Sequence, residues 1–348
     1  MELSAHAMRQ LGLSVYPIGI SPILQGLNAI KQMTSKIPLE MSYYFNTQMR
    51  SIVDRLIAKH EFDLAFGFFM RSATYLENHH LPKIVIAEDC RSVYMKRSYE
   101  HSKSPIQKLA RGWEKKVLPD YEPKKLNKFD CVTFVSQHDI EFARELGVKS
   151  DIRLLTNGTD IDHFKPDWSK LESSEPKIIF TSKFSVQANI LMAKSITEEI
   201  MPIVWEKRPD IKLVFAGADA EKAAPKRNKN IEIVSYPADM AEVLNEAHIF
   251  LHPHKGGSGI QNKLIEAMAC GLSVVTTDTG NQGINGNDGR DLFIGQNAHE
   301  LASLVLRLIE EKDTRLEMGR NARSLIEKNL SWDRVYKDLD NIISDYSN

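Results

Sequence analysis

Two apolar runs separated by a glycine-rich segment constrain the fold of this 348-residue chain more than any other feature. The runs, residues 248–252 and 273–277, have the length and composition of buried strands. Between them, residues 260–270 have the pattern of a short helix that Gly271 ends. A strand, a loop, a helix and a second strand in this order predict an α/β fold with parallel strands.

The loop of this segment has the features of a phosphate-binding site. Gly256, Gly257 and Gly259 allow the backbone to approach a ligand closely, and the helix that follows offers unpaired N–H groups. In the alternative interpretation, Ser258 and Gln261 form a capping box and the glycines only turn the chain. A capping box does not need three glycines in four positions, so we favour the ligand site.

Glu266 lies about two turns into the predicted helix, on the same side as Asn262 and Lys263. A carboxylate that is set back from a phosphate site can accept hydrogen bonds from sugar hydroxyls. We therefore predict that Glu266 contacts a ligand sugar.

At these residues the sequence resembles the retaining glycosyltransferases of family 4. Their signature places two glutamates eight positions apart, ahead of Ala-Met-Ala-x-Gly. Glu266 is the second of these, and Ser258 stands at the first position, where the family glutamate touches the donor sugar. The form Gly-Ser-Gly-Ile-x-Asn-Lys-x-x-Glu-Ala-Met is similar to a branch found among sugar transferases of exopolysaccharide clusters.

Two further segments carry the resemblance. Residues 154–166 are similar to the family segment that leads from the first domain into the second, and residues 178–189 to the first strand and loop of the donor domain. In the family a basic pair in that loop binds the diphosphate. Lys183 occupies the first basic position, whereas Asn189 stands near the second, and we hypothesise that Lys263 replaces the missing charge.

The resemblance implies a GT-B fold, in which two Rossmann-like domains with parallel sheets face a cleft. It also implies transfer of a sugar, with retention and without a metal or cofactor, from a nucleotide diphosphate sugar to a glycan or lipid-linked acceptor. Lys183 and the amides of residues 257–261 would stabilise the departing diphosphate, and Glu266 would hold the donor ribose. The predicted catalytic residues are Lys183, Glu266 and Asp89. The predicted donor-binding residues are Gly257, Ser258, Gly259, Ile260, Gln261, Asn262, Lys263, Asn189 and Tyr236, the last of these near the base.

Asp89 follows a predicted strand, residues 83–87, where family members place a polar pair that faces the cleft. A carboxylate there could orient or deprotonate an acceptor hydroxyl. Alternatively, Asp89 caps a helix that begins near Ser92. His252 and His254 flank the donor loop, but their spacing does not predict a metal site because no acidic ligand stands beside them.

Predicted strands alternate with helices along most of the chain, which indicates parallel sheets covered on both faces. We predict an amino-terminal acceptor-side domain at residues 1–160, a linker at 161–176, a nucleotide-sugar donor-binding domain at 177–330, and a final helix at 331–348 that crosses back to the first domain. The chain starts at what resembles a later helix of the fold, so we expect the first domain to be incomplete at its start. Exposed sheet edges in such a form could be covered by oligomerisation. The other predicted strands are 15–19, an edge because it contains Pro17, and 62–68, 130–135, 152–156, 177–181, 212–216 and 231–234.

Charge is almost balanced overall, at −1, but it differs between the halves. Residues 96–128 carry ten basic and four acidic side chains around Trp113. This basic stretch could contact an anionic membrane or a lipid diphosphate, or it could be a solvated helix face. Near-neutral charge and the absence of a basic stripe elsewhere argue against a nucleic-acid partner. No apolar run approaches the roughly 20 residues that span a bilayer, and no secretion signal opens the chain, so we expect a cytoplasmic protein, with the inner face of the membrane as its peripheral site.

Two other function classes stay open. The first is a nucleotide-sugar binding protein without turnover, which the incomplete first domain and Ser258 would produce. The second is a sugar-nucleotide epimerase on the same two-domain scaffold, which would act without an acceptor. A dinucleotide oxidoreductase is disfavoured because no Gly-x-Gly-x-x-Gly follows an early strand.

Overall fold

The computed structural model of the chain describes residues 2–31, 35–100, 102, 104–173, 175–223, 228–256 and 259–347. The chain divides into two compact units. The first comprises residues 1–133, 142–153 and 343–348, and the second comprises residues 134–141 and 154–342. Each unit is built on one sheet.

The first sheet has four strands in the order β1-β2-β3-β4, and β1 and β2 pair in parallel. Its strands are short, with four to six residues each. They are β1 Ala65–Phe68, β2 Lys83–Glu88, β3 Cys131–Phe134 and β4 Asp151–Leu154. The helices of this part of the chain are α1 Glu2–Gln10, α2 Pro22–Lys31, α3 Leu39–Tyr44, α4 Thr47–Lys59, α5 Met70–Leu76, α6 Arg91–Glu100 and α7 Pro105–Leu126, and α8 Gln137–Glu145 runs from β3 to β4.

The predicted strand at residues 15–19 is wrong, because these residues are irregular and pair with no strand. Pro17 has no backbone N–H to donate to a ladder, which disfavours a strand at this position. The prediction at residues 62–68 was also too long, since only its last four residues pair.

The second sheet has six strands in the order β10-β9-β8-β5-β6-β7, and all its recorded pairs are parallel. β5, β8 and β9 are buried at every residue, which explains their continuous apolar sequences. The strands are β5 Ile178–Thr181, β6 Leu213–Gly217, β7 Ile231–Ser235, β8 Ile249–His252, β9 Ser273–Thr276 and β10 Phe293–Ile294. The first five agree with the predicted strands to within one residue at each end, and β10 was not predicted.

The strand order reverses direction between β5 and β8. From β5 the chain adds β6 and β7 on one side, and then returns to add β8, β9 and β10 on the other. Open parallel sheets bind ligands outside the carboxyl ends of the strands at such a reversal. The topology therefore marks the loops after β5 and β8.

Helices of the second unit pack on this sheet. The predicted linker at residues 161–176 contains one of them, α9, and is therefore not an irregular connection throughout. The helices are α9 Trp168–Ser173, α10 Gln187–Ser195, a π-helical turn Ile196–Ile200, α11 Met201–Lys207, α12 Met240–Asn245, α13 Asn262–Ala269, α14 Asp278–Asn281, α15 Ala298–Glu310, α16 Lys312–Asn329 and α17 Trp332–Tyr346.

Two predictions from composition can be compared with the structure. Cys90, Cys131 and Cys270 are buried, as expected of small core residues. In the described segments, each helix is too short or too polar to cross a bilayer.

Candidate functional site

The predicted strand, loop, helix and strand around the glycine loop are confirmed as β8, residues 253–261, α13 and β9. α13 begins at Asn262, two residues later than predicted, because Gln261 still has an extended backbone. Gly259 has a φ of +73°, which disfavours any residue with a Cβ. Gly257 and Ser258, which we predicted to bind the donor, lie outside the described residues, so the predicted capping box does as well.

Lys263 is the side chain that joins the two marked loops. From the first turn of α13, its Nζ donates to the Oγ of Ser182 at 3.2 Å and to the Oδ1 of Asn189 at 3.1 Å. The ammonium also lies 5.4 Å from the centre of the Phe180 ring. Burial lowers the pKa of Lys263 to about 8, and the nearby carboxylate of Glu266 acts in the opposite direction. A cation is therefore held between the ends of β5 and β8.

The loop after β5 is fixed to its neighbour β6. The amide of Ser182 donates to Ala216 at 3.0 Å, and a Cβ on Gly217 would lie only 2.1 Å from the carbonyl oxygen of Ser182. Asn189 donates back to the carbonyl of Lys183 at 2.9 Å. Asn189 therefore contacts both lysines of the predicted pair, through the Lys263 ammonium and the Lys183 backbone.

The Lys183 side chain is exposed. Its ammonium makes no ion pair within the part of the chain that the structure describes. The second unit thus brings Lys263 and Asn189 into direct contact, whereas it leaves the Lys183 ammonium in solvent at the start of the same loop.

Glu266 lies one turn beyond Lys263 on α13 and is partly exposed. Burial raises its pKa, which Lys263 and His163 oppose. Its carboxylate accepts no hydrogen bond from the described side chains or amides, so both oxygens are available to donors of a ligand. Arg323 holds the His163 segment near this helix, because it donates to the carbonyls of Phe164 at 2.6 Å and Ala269 at 2.9 Å.

Tyr236 follows β7 and is 66 % exposed. Its φ is +51°, and Asp219, in the loop after β6, has a φ of +58°. A hydrogen bond from the Tyr236 hydroxyl to the Asp219 carboxylate raises the pKa of Tyr236. The pKa of Asp219 is lowered, mainly by the hydrogen bond from Lys222 and also by the one from Tyr236. Asp219 was missed by sequence reasoning, although its place two residues after Gly217 at a strand end was a usable signal.

His252 and His254 stack on each other, with ring centres 5.2 Å apart. The Nδ1 of His252 lies 3.2 Å from the Oγ1 of Thr276, whose proton goes to the His252 carbonyl. Nδ1 is therefore the protonated nitrogen, and Nε2 has no partner among the described residues. Burial keeps the His252 pKa well below its usual value. No group of three or more metal-ligating side chains occurs in the described parts of the chain.

Asp89 lies in the first unit, directly after β2. Its carboxylate is 3.3 Å from the guanidinium of Arg91, which is also bound to Glu40. The amides of Arg91 and Ser92 donate to Glu122 at 2.9 Å each. In the alternative interpretation, Asp89 caps the helix that starts here. These two amides are bound instead by a carboxylate from α7, which sequence reasoning missed.

Glu122 has a counterpart two turns earlier on α7. Glu114 is 4 % exposed and accepts the amide of Glu40 at 2.8 Å, near the start of α3. Burial raises the pKa of Glu114 to about 7, and burial also raises the pKa of Glu122. Two buried glutamates of one helix thus stabilise the first turns of two others.

Comparisons with known proteins give sequence relatives of this chain. Residues 175–311 match the family model described as glycosyl transferases group 1. The chain is 23% identical over 327 residues to an uncharacterised 44.6 kDa protein of the cps region of Klebsiella pneumoniae, covering 90% of this chain and 80% of that protein. It is 26% identical to a GDP-mannose-dependent monoacylated α-(1-6)-phosphatidylinositol monomannoside mannosyltransferase of Corynebacterium glutamicum, over 62% of each chain.

Solved structures give the fold. Sucrose-phosphate synthase of Thermosynechococcus elongatus superposes with a TM-score of 0.69 at 16% identity, covering 86% of this chain and 77% of that one. Anabaena HepE in complex with UDP and glucose superposes with a TM-score of 0.62 at 15% identity, covering 86% and 82%. The chain has the α/β fold of GT-B glycosyltransferases, and its residues 175–311 carry the sequence pattern of the glycosyl transferases group 1.

Proposed function

We propose that the chain is a retaining glycosyltransferase of family 4, which moves a sugar from a nucleotide diphosphate sugar to a glycan or lipid-linked acceptor. One observation carries the proposal. The Lys263 ammonium is partly buried between the ends of β5 and β8, where it contacts Ser182 and Asn189. A partly buried cation at the reversal point of a parallel sheet fits an anionic ligand.

In this proposal, negative charge grows on the diphosphate as the sugar leaves. Lys263, with Lys183 at the mouth of the β5 loop, would stabilise that charge, and a fixed cation needs no reorganisation when the charge develops. The amide of Gly259 and its neighbours would add hydrogen-bond donors. Glu266, whose carboxylate accepts no hydrogen bond from described groups, would accept those of the ribose hydroxyls.

The proposal names the donor, the acceptor and the location of the protein only by class. The relatives differ in nucleotide, since one is named for GDP-mannose and one solved structure holds UDP and glucose. A polysaccharide or lipid-linked acceptor on the cytoplasmic side of the membrane is supported by the relatives from a capsule region and from phosphatidylinositol mannoside synthesis. We also propose that the reaction needs no metal ion, so the activity should survive a chelator.

The direct test is nucleotide binding by Glu266→Gln. Titration calorimetry with UDP and GDP should show that one of them binds the unaltered chain, and that the variant binds it about tenfold more weakly because a charged acceptor is lost. Glu310→Gln, an exposed position of α15, is the control and should bind normally. Unchanged affinity of the Glu266 variant would remove the ribose assignment.

Incubation with a panel of nucleotide sugars separates the two other function classes. Sugar transfer to an acceptor, with the anomeric configuration retained in the product, supports the proposal. Donor binding without any product would indicate a binding protein. A change in the sugar of the donor without an acceptor would indicate an epimerase.

A further inference from the structure

The first turn of α7 exposes two large apolar side chains. Pro105 begins the helix, and Ile106 and Leu109 are 82 % and 79 % exposed. They are three residues apart and therefore lie on the same face of the helix. Trp113 continues this face and is partly buried.

Cations surround this turn. Lys108 and Lys115 lie 5.5 Å and 4.8 Å from the centre of the Tyr99 ring, and Arg111 donates to the carbonyl of Ser98 at 3.0 Å. The ring also packs against Gly112, where an added Cβ would lie 3.2 Å from it. Two basic side chains are thus held at one aromatic ring, and a third is bonded to the residue before it, beside the exposed apolar turn.

The exposed charge of this region is more positive than its sequence indicates. Of the four acidic residues in the stretch 96–128, Glu114 and Glu122 are buried and bind backbone amides inside the first unit. Only Glu100 and Asp120 remain exposed. The acidic side chains that would neutralise the basic ones are therefore withdrawn from the surface.

We propose that the first turn of α7 docks on an anionic lipid surface, with Ile106 and Leu109 inserted among the lipids and the neighbouring cations against the headgroups. Apolar side chains beside clustered basic residues are the combination that binds such interfaces. Cations alone would suit a nucleic acid equally well, but two protruding aliphatic side chains do not. The inference does not depend on the proposed reaction.

The test is co-sedimentation of the full chain with lipid vesicles. The chain should bind vesicles of phosphatidylcholine with roughly one third phosphatidylglycerol, and binding to pure phosphatidylcholine should be much weaker. Raising the salt concentration from about 0.1 M to about 1 M should weaken binding to the anionic vesicles. The double variant Ile106→Asp/Leu109→Asp should bind them at least about tenfold more weakly, because two buried apolar contacts are lost.

Ile23→Asp is a closely matched control. Ile23 is also the second residue of a proline-initiated helix, α2, and is 77 % exposed, but the ten residues of that helix include a single basic one. It should leave vesicle binding unchanged, and all variants should keep the melting temperature of the unaltered chain, since none of the replaced side chains is buried. Absence of binding to anionic vesicles, full binding by the double variant, or an equal loss in Ile23→Asp would each overturn the proposal.

Discussion

In both units, residues other than glycine adopt left-handed backbone conformations at the carboxyl ends of strands. Phe69 and Glu88 do so in the first unit, and Asp219 and Tyr236 in the second. Such conformations cost free energy and are concentrated at functional sites. The two sheets differ, however, in how the charged groups at those ends are satisfied.

In the first unit, the carboxylates near the strand ends are bound by groups of the same unit, as when Arg91 contacts both Asp89 and Glu40. In the second unit, the partly exposed Glu266 carboxylate accepts no hydrogen bond from the described groups. The second sheet thus has a carboxylate without a fixed hydrogen-bond donor, whereas the charges of the first mainly stabilise its own helices.

The largest effect is expected from a change at the β6 end. Gly217→Ala would place a Cβ 2.1 Å from the Ser182 carbonyl at a φ of +131°, and should destabilise the second unit by roughly 3 kcal/mol or more, or displace the β5 loop. Gly147→Ala in the first unit, at +97° with no atom within 4 Å, should cost about 1 kcal/mol. Urea unfolding followed by tryptophan fluorescence measures both. Equal losses would show that the close approach at Ser182 is unimportant.

An intermediate effect is expected at Lys263. Lys263→Met keeps the length of the side chain but removes its charge, and should weaken nucleotide binding about 30-fold, or ~2 kcal/mol, at neutral pH. Lys194→Met is the control, because Lys194 is exposed on α10 and pairs with Glu198 on the surface. Calorimetric titration checks both variants. Normal affinity of the Lys263 variant would contradict the role of this cation in nucleotide binding. It would also contradict the idea that the second sheet, and not the first, carries the ligand site.

The smallest effect is expected at Glu114 in the first unit. Because its folded-state pKa is raised from 4.5 to about 7, the protonated form stabilises the fold below about pH 4.5, and this stability is lost as the pH rises through about 7. Glu114→Gln should remove about 1–2 kcal/mol of the decline in unfolding free energy between pH 5 and pH 8. Glu100→Gln, exposed at the end of α6, should leave the decline unchanged. A decline that persists in Glu114→Gln would place its origin elsewhere.

Strands β5, β8 and β9 could be predicted because they are mostly apolar runs, as expected of strands that are buried on both faces of a sheet. The strand at residues 15–19 was wrong because apolar alternation does not show whether a partner strand exists. At the site, Lys263 contacts Asn189, which stands near the missing basic position, and the replacement of that charge by Lys263 stays a hypothesis. The roles of the predicted site residues in binding and catalysis stay predictions.

Each of the missed groups has a contact with a residue that is distant in sequence. Asp219 contacts Tyr236, and Glu122 contacts the beginning of α6, 30 residues away. A glutamate in a lysine-rich helix normally faces solvent, so composition favours the wrong environment. The spacing of Glu114 and Glu122 with two leucines at intervals of four was a signal that this side of α7 is buried.

Glu114, Leu118, Glu122 and Leu126 form one row along α7, and both acids of that row hold the ends of other helices. Inserting a single residue between the two glutamates would rotate the second by about 100° around the helix axis. Sequence change in this helix is therefore restricted to substitutions, and insertions or deletions should be tolerated only outside the row. The positions of α3 and α6 therefore depend on the register of α7.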